Sequence, residues 1–546
     1  MKKSIKILSL SLFALAAIAC SSPKKMLTKA ESVTIKCSDK VLEAVAGKIT
    51  TEITVDYPIN YFHPQAILEV TPVIVYEGGE SKLAPIIYQG EKVKDNGKVV
   101  SSDGDIIKET ITFDYVKGME KSYLELRAEV ISKNKSYILP SQKVADGVNT
   151  TYMLVCTKGK VDYKADNYQS IINQTAEGQI LYNINSSNIN SKEYKSESIK
   201  SFQSAIDEIK ENERKKIVST DIVAYASPDG EEIKNLELSE KRSETATTAF
   251  EKATKSNPIG APVAVKSIGE DWDGFQELVA NSNLEDKDLI IRVLSMYSDP
   301  EVREKEIRNM SAVYKTLAKD VLPALRRARF ITNVEFTNFT SEELIGLIDS
   351  NIDILDEEAL LRAATLVKED ATKLAIYDKA VSKYNSTRAQ FNIAVVYLKA
   401  SKLAEAKAAL AKVTIKDADY TNAMGVIALQ EKNYTEALKC FNASGSDAAK
   451  ENLAVLDVLN GNYAEALAKL DGVDGYNKAL VLVLNNKANE AKGLVKCDCP
   501  YVAYLNAVIA ARLGEASNVK QNIAKASENT DLAAKAAKDI EFVEFK

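Results

Sequence analysis

Between residues 403 and 495 one arrangement returns four times: an alanine followed, four positions later, by a large apolar residue. The pairs are Ala406 with Leu410, Ala437 with Phe441, Ala466 with Leu470 and Ala491 with Val495. Residues four apart lie on one helix face, so each pair sets a small position beside a bulky one. A first helix and a polar turn precede each pair, as in "YTNAMGVIALQEKNYTEALKCFNAS". The steps from 406 to 437, 437 to 466 and 466 to 491 are 31, 29 and 25 residues, enough for two short helices each. Such a unit leaves one apolar face bare, and stacking on the next unit covers it. Residues 341–546 are therefore expected to be helical throughout, stacked as a solenoid, with 501–546 adding a further pair or a cap.

The preceding residues follow other periods. Within 30–160, "KITTEITVDYPI" alternates Ile49, Thr51, Ile53 and Val55. "SYLELRAEVI" sets Leu124, Leu126, Ala128 and Val130 against Tyr123, Glu125, Arg127 and Glu129. Period two means strands with one buried face, and turn signals such as "EGGES" separate them. The expectation is an all-β sandwich, immunoglobulin-like in general architecture. Across 177–340 strand and helix patterns alternate, β-α-β-α-β, then more helix and the final strand "LRRARFITNVEF". In the first of these helices Ile199, Phe202, Ile206 and Ile209 recur at helical spacing. This order predicts an α/β sandwich with a helical insertion over roughly 275–325.

Composition narrows the functions. The net charge of −6 offers no broad basic surface for nucleic acid. His63 is the single histidine, beside Pro64, which removes Ser-His-Asp and two-histidine zinc arrangements from the rest of the chain. It reads as a turn or surface residue. "CDC" at 497–499 lacks two further ligands nearby, and Cys440 reads as core. "GEDWDG", which holds the single tryptophan Trp272, reads as an acidic turn with a packed indole rather than a calcium loop. No catalytic or metal site and no cofactor are assigned. A carbohydrate-active enzyme working through carboxylates alone would leave no mark in the sequence.

At the start, Lys2, Lys3 and Lys6 precede the apolar run "ILSLSLFALAAIA" and then Cys20. Residues 1–19 resemble a bacterial lipoprotein signal peptide. That resemblance implies export and acylation at Cys20, with 20–29 as a tether. It implies attachment to the outer membrane by acyl chains, and the basic "PKK" after Cys20 leans toward the periplasmic face, with the cell surface as the alternative. An exported compartment permits disulfides, and Cys37 and Cys156, which bracket the β region, are the candidate pair, bridged or free.

The run "YASPDGEEIKNLELSEKRSETA", residues 225–246, reads as a strand end, a turn at Ser227-Pro-Asp229-Gly and a helix. Leu238, Arg242 and Ala246 then fall at i+4 spacing, which sets a guanidinium beside the apolar stripe. Such a group suits gripping a carboxylate through two parallel hydrogen bonds. The order of Asn235, Leu238, Ser239 and Arg242 is similar to the OmpA-like peptidoglycan-anchoring family, with Lys241 and Ser243 replacing its arginine and alanine. "LRRARFI", with Arg326 and Arg327, resembles that family's last strand. The family holds diaminopimelate between a turn aspartate and the helix arginine. Here Ser227 stands at the aspartate position and Asp229 lies two residues on. The resemblance implies Ser227, Asp229, Asn235 and Arg242 as peptidoglycan-binding residues, with no carboxylate at 227 to meet the ligand's ammonium group.

The helical repeats resemble tetratricopeptide repeats, shortened from that family's period, and imply envelope proteins as partners. Two functions follow as expectations. One is a lipoprotein tethering the outer membrane to peptidoglycan, scaffolding envelope proteins through its repeats, or both. The alternative is a scaffold in a secretion or surface-appendage assembly that binds no peptidoglycan.

Overall fold

The structure is a computed structural model and describes residues 22–545 other than Glu285. Residues 1–19, expected to be a signal segment, and Cys20 lie outside the described residues. The chain divides into two compact units, one formed by residues up to 164 together with 387–546, the other by 165–386. Residues 341–386 fall in the second of these units and 387–546 in the first, whereas the sequence reading runs one helical domain across 341–546. No helix among the described residues is long and apolar enough to cross a membrane.

The first unit begins with a β-rich region whose eleven strands form one curled sheet. Its longest pairing sets Lys48–Tyr57 antiparallel to Asp105–Asp114, with Ile49 opposite Phe113. The alternation read from sequence is physical here: Ile49, Thr51, Ile53, Val55 and Tyr57 are all buried. Leu124, Leu126 and Val130 are buried as well, but so is Glu125, which the same alternation places outward. Arg127 Nε donates to its carboxylate at 2.6 Å, which supplies the partner a buried charge requires. His63 sits in a turn, its Nδ1 accepting from the Gln65 amide at 3.1 Å.

The C-terminal part of this unit is all helical. Helices pair as Thr387–Lys399 with Leu403–Leu410, Ala418–Gln430 with Tyr434–Ser444, and Asp447–Leu459 with Tyr463–Lys469. Tyr476–Leu484 with Ala488–Ala491 and Pro500–Arg512 with Ala516–Ala526 follow. Ala406, Ala437 and Ala466 are buried with Leu410, Phe441 and Leu470. Gly425 shows why the first helix needs small residues: a Cβ there would lie 2.5 Å from the Phe441 ring. The fourth pair departs from expectation. Its helix stops at Ala491, Gly493 turns with φ of 80°, and Val495 is only half-buried outside the helix. Cys440, read as core, is half-buried.

The Cys37–Cys156 bridge is not formed; both thiols are free. Cys37 ends an outer strand paired with Lys48–Tyr57, its sulfur 3.2 Å from Thr51 Oγ1. Cys156 has left the sheet, and its backbone is bonded to Asn477 of the helical repeats. The two cysteines bracket the β region in sequence and answer to different neighbours in space.

The second unit carries a four-stranded sheet in the order Ile171–Leu181, Arg327–Thr337, Lys215–Ala226, Val263–Glu270. The first two pairings are antiparallel and the last is parallel. Helices Glu197–Glu211 and Glu232–Ala253 pack on it through Ile199, Phe202, Ile206, Ala246, Ala249 and Phe250 against Ile180, Ala328 and Phe330. Residues 272–325 form short helices with a core of their own, centred on Phe275, Ile290, Leu294 and Leu317. The last strand leads into Ser341–Ser350, which Thr340 and Glu343 start with a capping box.

Candidate functional site

The helix Glu232–Ala253 buries Asn235, Ser239, Arg242, Ala246, Ala249 and Ala253, spaced by three and four. That seam is apolar in its second half and polar in its first. A seam of this kind holds its polar groups only if each finds a partner. Arg242, 1% exposed, finds three: Nε donates to the Ser186 carbonyl at 3.0 Å, Nη1 to Tyr225 at 2.8 Å and Nη2 to Asn183 at 3.2 Å. Its guanidinium also stacks over the Tyr182 ring at 4.9 Å. Burial pushes its pKa down to about 10, with Tyr182 opposing and Arg326 adding to the fall.

This corrects the expectation for Arg242. The side chain is beside the turn, as the spacing implies, but it grips the protein's own main chain instead of facing a ligand. Asn235 behaves likewise, donating to the Ser227 carbonyl at 3.2 Å and to Glu270 Oε1 at 2.9 Å. Ser227 donates from Oγ to Asp229 Oδ1. Arg326 closes the group, with Nε on Ser227 Oγ at 3.2 Å and Nη2 on Asp229 Oδ2 at 3.1 Å. The structure thus brings Ser227, Asp229, Asn235 and Arg242 to one place, and there Asp229 has a cation already. Arg326 was legible as part of the arginine doublet, though not as the partner of Asp229. Arg327 turns to Asp271 instead, at 2.8 Å.

Glu270 holds the cluster's other side. Its carboxylate accepts from Asn235 and from Trp272 Nε1 at 2.8 Å, and burial pushes its pKa up while those two bonds oppose the rise. A folded pKa above the unfolded value means stability that is complete below pH 4.5 and is lost as pH rises through the folded pKa. Trp272, the single tryptophan, reports this directly. Its fluorescence is expected to titrate at a midpoint above 4.5, and Glu270→Gln to abolish the transition.

The second site was missed in the sequence. After the β region the chain runs without regular secondary structure across 155–164, and asparagines of successive first helices hold its backbone. Asn477 Oδ1 accepts from the Cys156 amide at 2.9 Å while its Nδ2 donates to the Cys156 carbonyl at 3.1 Å. Asn452 does the same at Lys160, at 2.6 and 2.9 Å, and Asn392 at Lys164, at 2.7 and 3.0 Å. Asn422 adds a bond to the Lys160 carbonyl at 3.0 Å, and Gln430 one to Lys158 at 2.6 Å. The held positions lie four residues apart along the strap, at 156, 160 and 164, with Asn452 and Asn422 sharing the middle one. A side-chain amide offers one acceptor and two donors, so it pairs with both backbone groups of a single residue. The signal was available: Asn392, Asn422 and Asn452 recur every 30 residues, in step with the alanines.

Two further contacts fix the strap. Gly159, at φ of 77°, passes so close to Val426 that a Cβ would lie 2.9 Å from its methyl groups. Lys164 Nζ reaches Asp417 Oδ2 at 2.6 Å and also Asp419, over the Phe391 ring. Burial opposes the charge on Lys164, but the two carboxylates outweigh it and hold its pKa above the ordinary lysine value.

No family model and no curated protein matches the chain.

Proposed function

We propose that this chain is an exported, non-enzymatic lipoprotein of the bacterial outer envelope that scaffolds proteins through its helical repeats. In this reading the β-rich region is an immunoglobulin-like sandwich and the repeats form a tetratricopeptide-like solenoid. The central sheet is an OmpA-like module kept for its fold, its ligand-gripping arginine turned inward. The observation that carries the choice between tether and scaffold is the saturation of Arg242 by the carbonyls of Asn183, Ser186 and Tyr225. A diaminopimelate carboxylate would have to displace those bonds from a side chain that is 1% exposed. Wall binding therefore loses its main donor, and the alternative of a scaffold that binds no peptidoglycan becomes the better reading. The basic n-region, apolar run and Cys20 support export and lipid anchoring, and the basic "PKK" after Cys20 favours the periplasmic face of the outer membrane.

Palmitate labelling followed by cell fractionation tests the anchor. The wild type is expected to carry label in the outer-membrane fraction, and Cys20→Ser to lose both label and membrane association. An unlabelled wild type in the soluble fraction would overturn the reading.

A further inference from the structure

The strap 155–164 has a different bonding style from a segment built permanently into a core. It is held by main-chain amides and carbonyls, at Cys156, Lys160 and Lys164, while the side chains of Cys156, Lys158, Lys160 and Asp162 point to solvent. Side-chain selection falls at five places, two of which are the buried Val155 and the Tyr163 ring beneath the Lys399 ammonium. Gly159 must be small against Val426, Val161 is buried, and Lys164 enters the acidic pair Asp417 and Asp419. Backbone clamps read an extended chain of almost any sequence, and Gly159, Val161 and Lys164 impose a short pattern on its second half.

We propose that the asparagine ladder is a binding site for an extended peptide segment of a partner protein, and that the chain's own strap occupies it as a built-in competitor. The partner segment has a glycine, an apolar residue two positions on and a lysine three beyond that. This deepens the scaffold reading and rests on it, because it names where the repeats take hold of a partner. The acidic pair supplies the charge complementarity, and the strap itself supplies the register. Being tethered, the strap acts at an effective concentration in the millimolar range, so a partner segment binds measurably only when it outcompetes the strap or when the strap is withdrawn.

The probe is a labelled synthetic peptide with the sequence of residues 155–166, serine replacing its cysteine, added to the full chain. A variant in which residues 157–164 become alternating glycine and serine empties the ladder of its selective contacts. It is expected to bind the peptide at least tenfold more tightly than the wild type does. Adding Asn422→Ala and Asn452→Ala to that variant is expected to abolish binding, as is Gly159→Val in the peptide. A folded variant that ignores the peptide, or binding indifferent to the asparagines, overturns the proposal. Should the replacement fail to fold, Lys164→Ala decides: severalfold tighter binding than wild type supports the proposal, and equal affinity overturns it. Envelope proteins cross-linked to the full chain equally well with and without Asn422→Ala and Asn452→Ala would overturn the ladder as the site and leave the scaffold reading standing.

Discussion

Arg242→Ala is expected to destabilise the unit of residues 165–386 by about 3–5 kcal/mol, a loss on the scale of a broken buried charge network. Three carbonyls, those of Asn183, Ser186 and Tyr225, lose their donors at once, and Tyr182 loses the cation stacked on its ring. Each unsatisfied buried acceptor costs about 1–3 kcal/mol, and partial access of water to the 183–186 loop brings the sum down. Arg242→Lys is expected to recover part of the loss, since an ammonium lacks the planar fork that spans three acceptors. Urea unfolding followed by Trp272 fluorescence measures both, because the single tryptophan lies in this unit. A loss below 1 kcal/mol for Arg242→Ala would mean that the guanidinium is dispensable to the fold and free to serve a ligand.

The second large effect lies in the ladder. Asn422→Ala with Asn452→Ala removes both amide groups at Lys160, including the 2.9 Å bond between the two asparagines themselves. These side chains are 2% and 1% exposed, so their removal leaves buried polar groups unpaired and costs about 3 kcal/mol of local stability. At about 1.4 kcal/mol per decade this is on the order of a 100-fold rise in hydrogen exchange at the Lys160 amide. The expected change is confined to the strap and the helices around it, with the β-rich region unaltered. Protection at Lys160 that survives the double substitution would show that packing of Val161 and the Lys164 ion pair hold the strap unaided.

Much of the architecture was written in periodicity. Alternation in Lys48–Tyr57 and the spacing of Ile199, Phe202, Ile206 and Ile209 each name a buried face, because burial is what imposes the period. The place of Arg242 on an apolar stripe was legible for the same reason. Its partners were not, because two are carbonyls of a loop more than 50 residues away and the third is that of Tyr225 in the preceding strand, and any residue type supplies a carbonyl. An arginine on a buried stripe announces that acceptors exist and says nothing of whether they belong to a ligand or to the chain.

The same limit explains the cysteines and the strap. Bracketing in sequence suggested Cys37 with Cys156, but Asn477 draws Cys156 to the repeats. The asparagines were overlooked because polar residues in helices ordinarily face water. Their recurrence at 392, 422 and 452, in phase with the buried alanines, was the sign that they do not. The grouping of 341–386 with the central sheet rests on contacts such as Arg214 with Glu343, at 2.7 Å, which no periodicity reveals.

The most direct test of the account is cosedimentation of the purified full chain with peptidoglycan sacculi at physiological salt. With Arg242 committed to the fold and Asp229 to Arg326, the chain is expected to stay in the supernatant at all sacculus concentrations. Saturable cosedimentation that free diaminopimelate reverses would contradict it, and would mean that the loop at 183–186 opens to give the guanidinium to the wall.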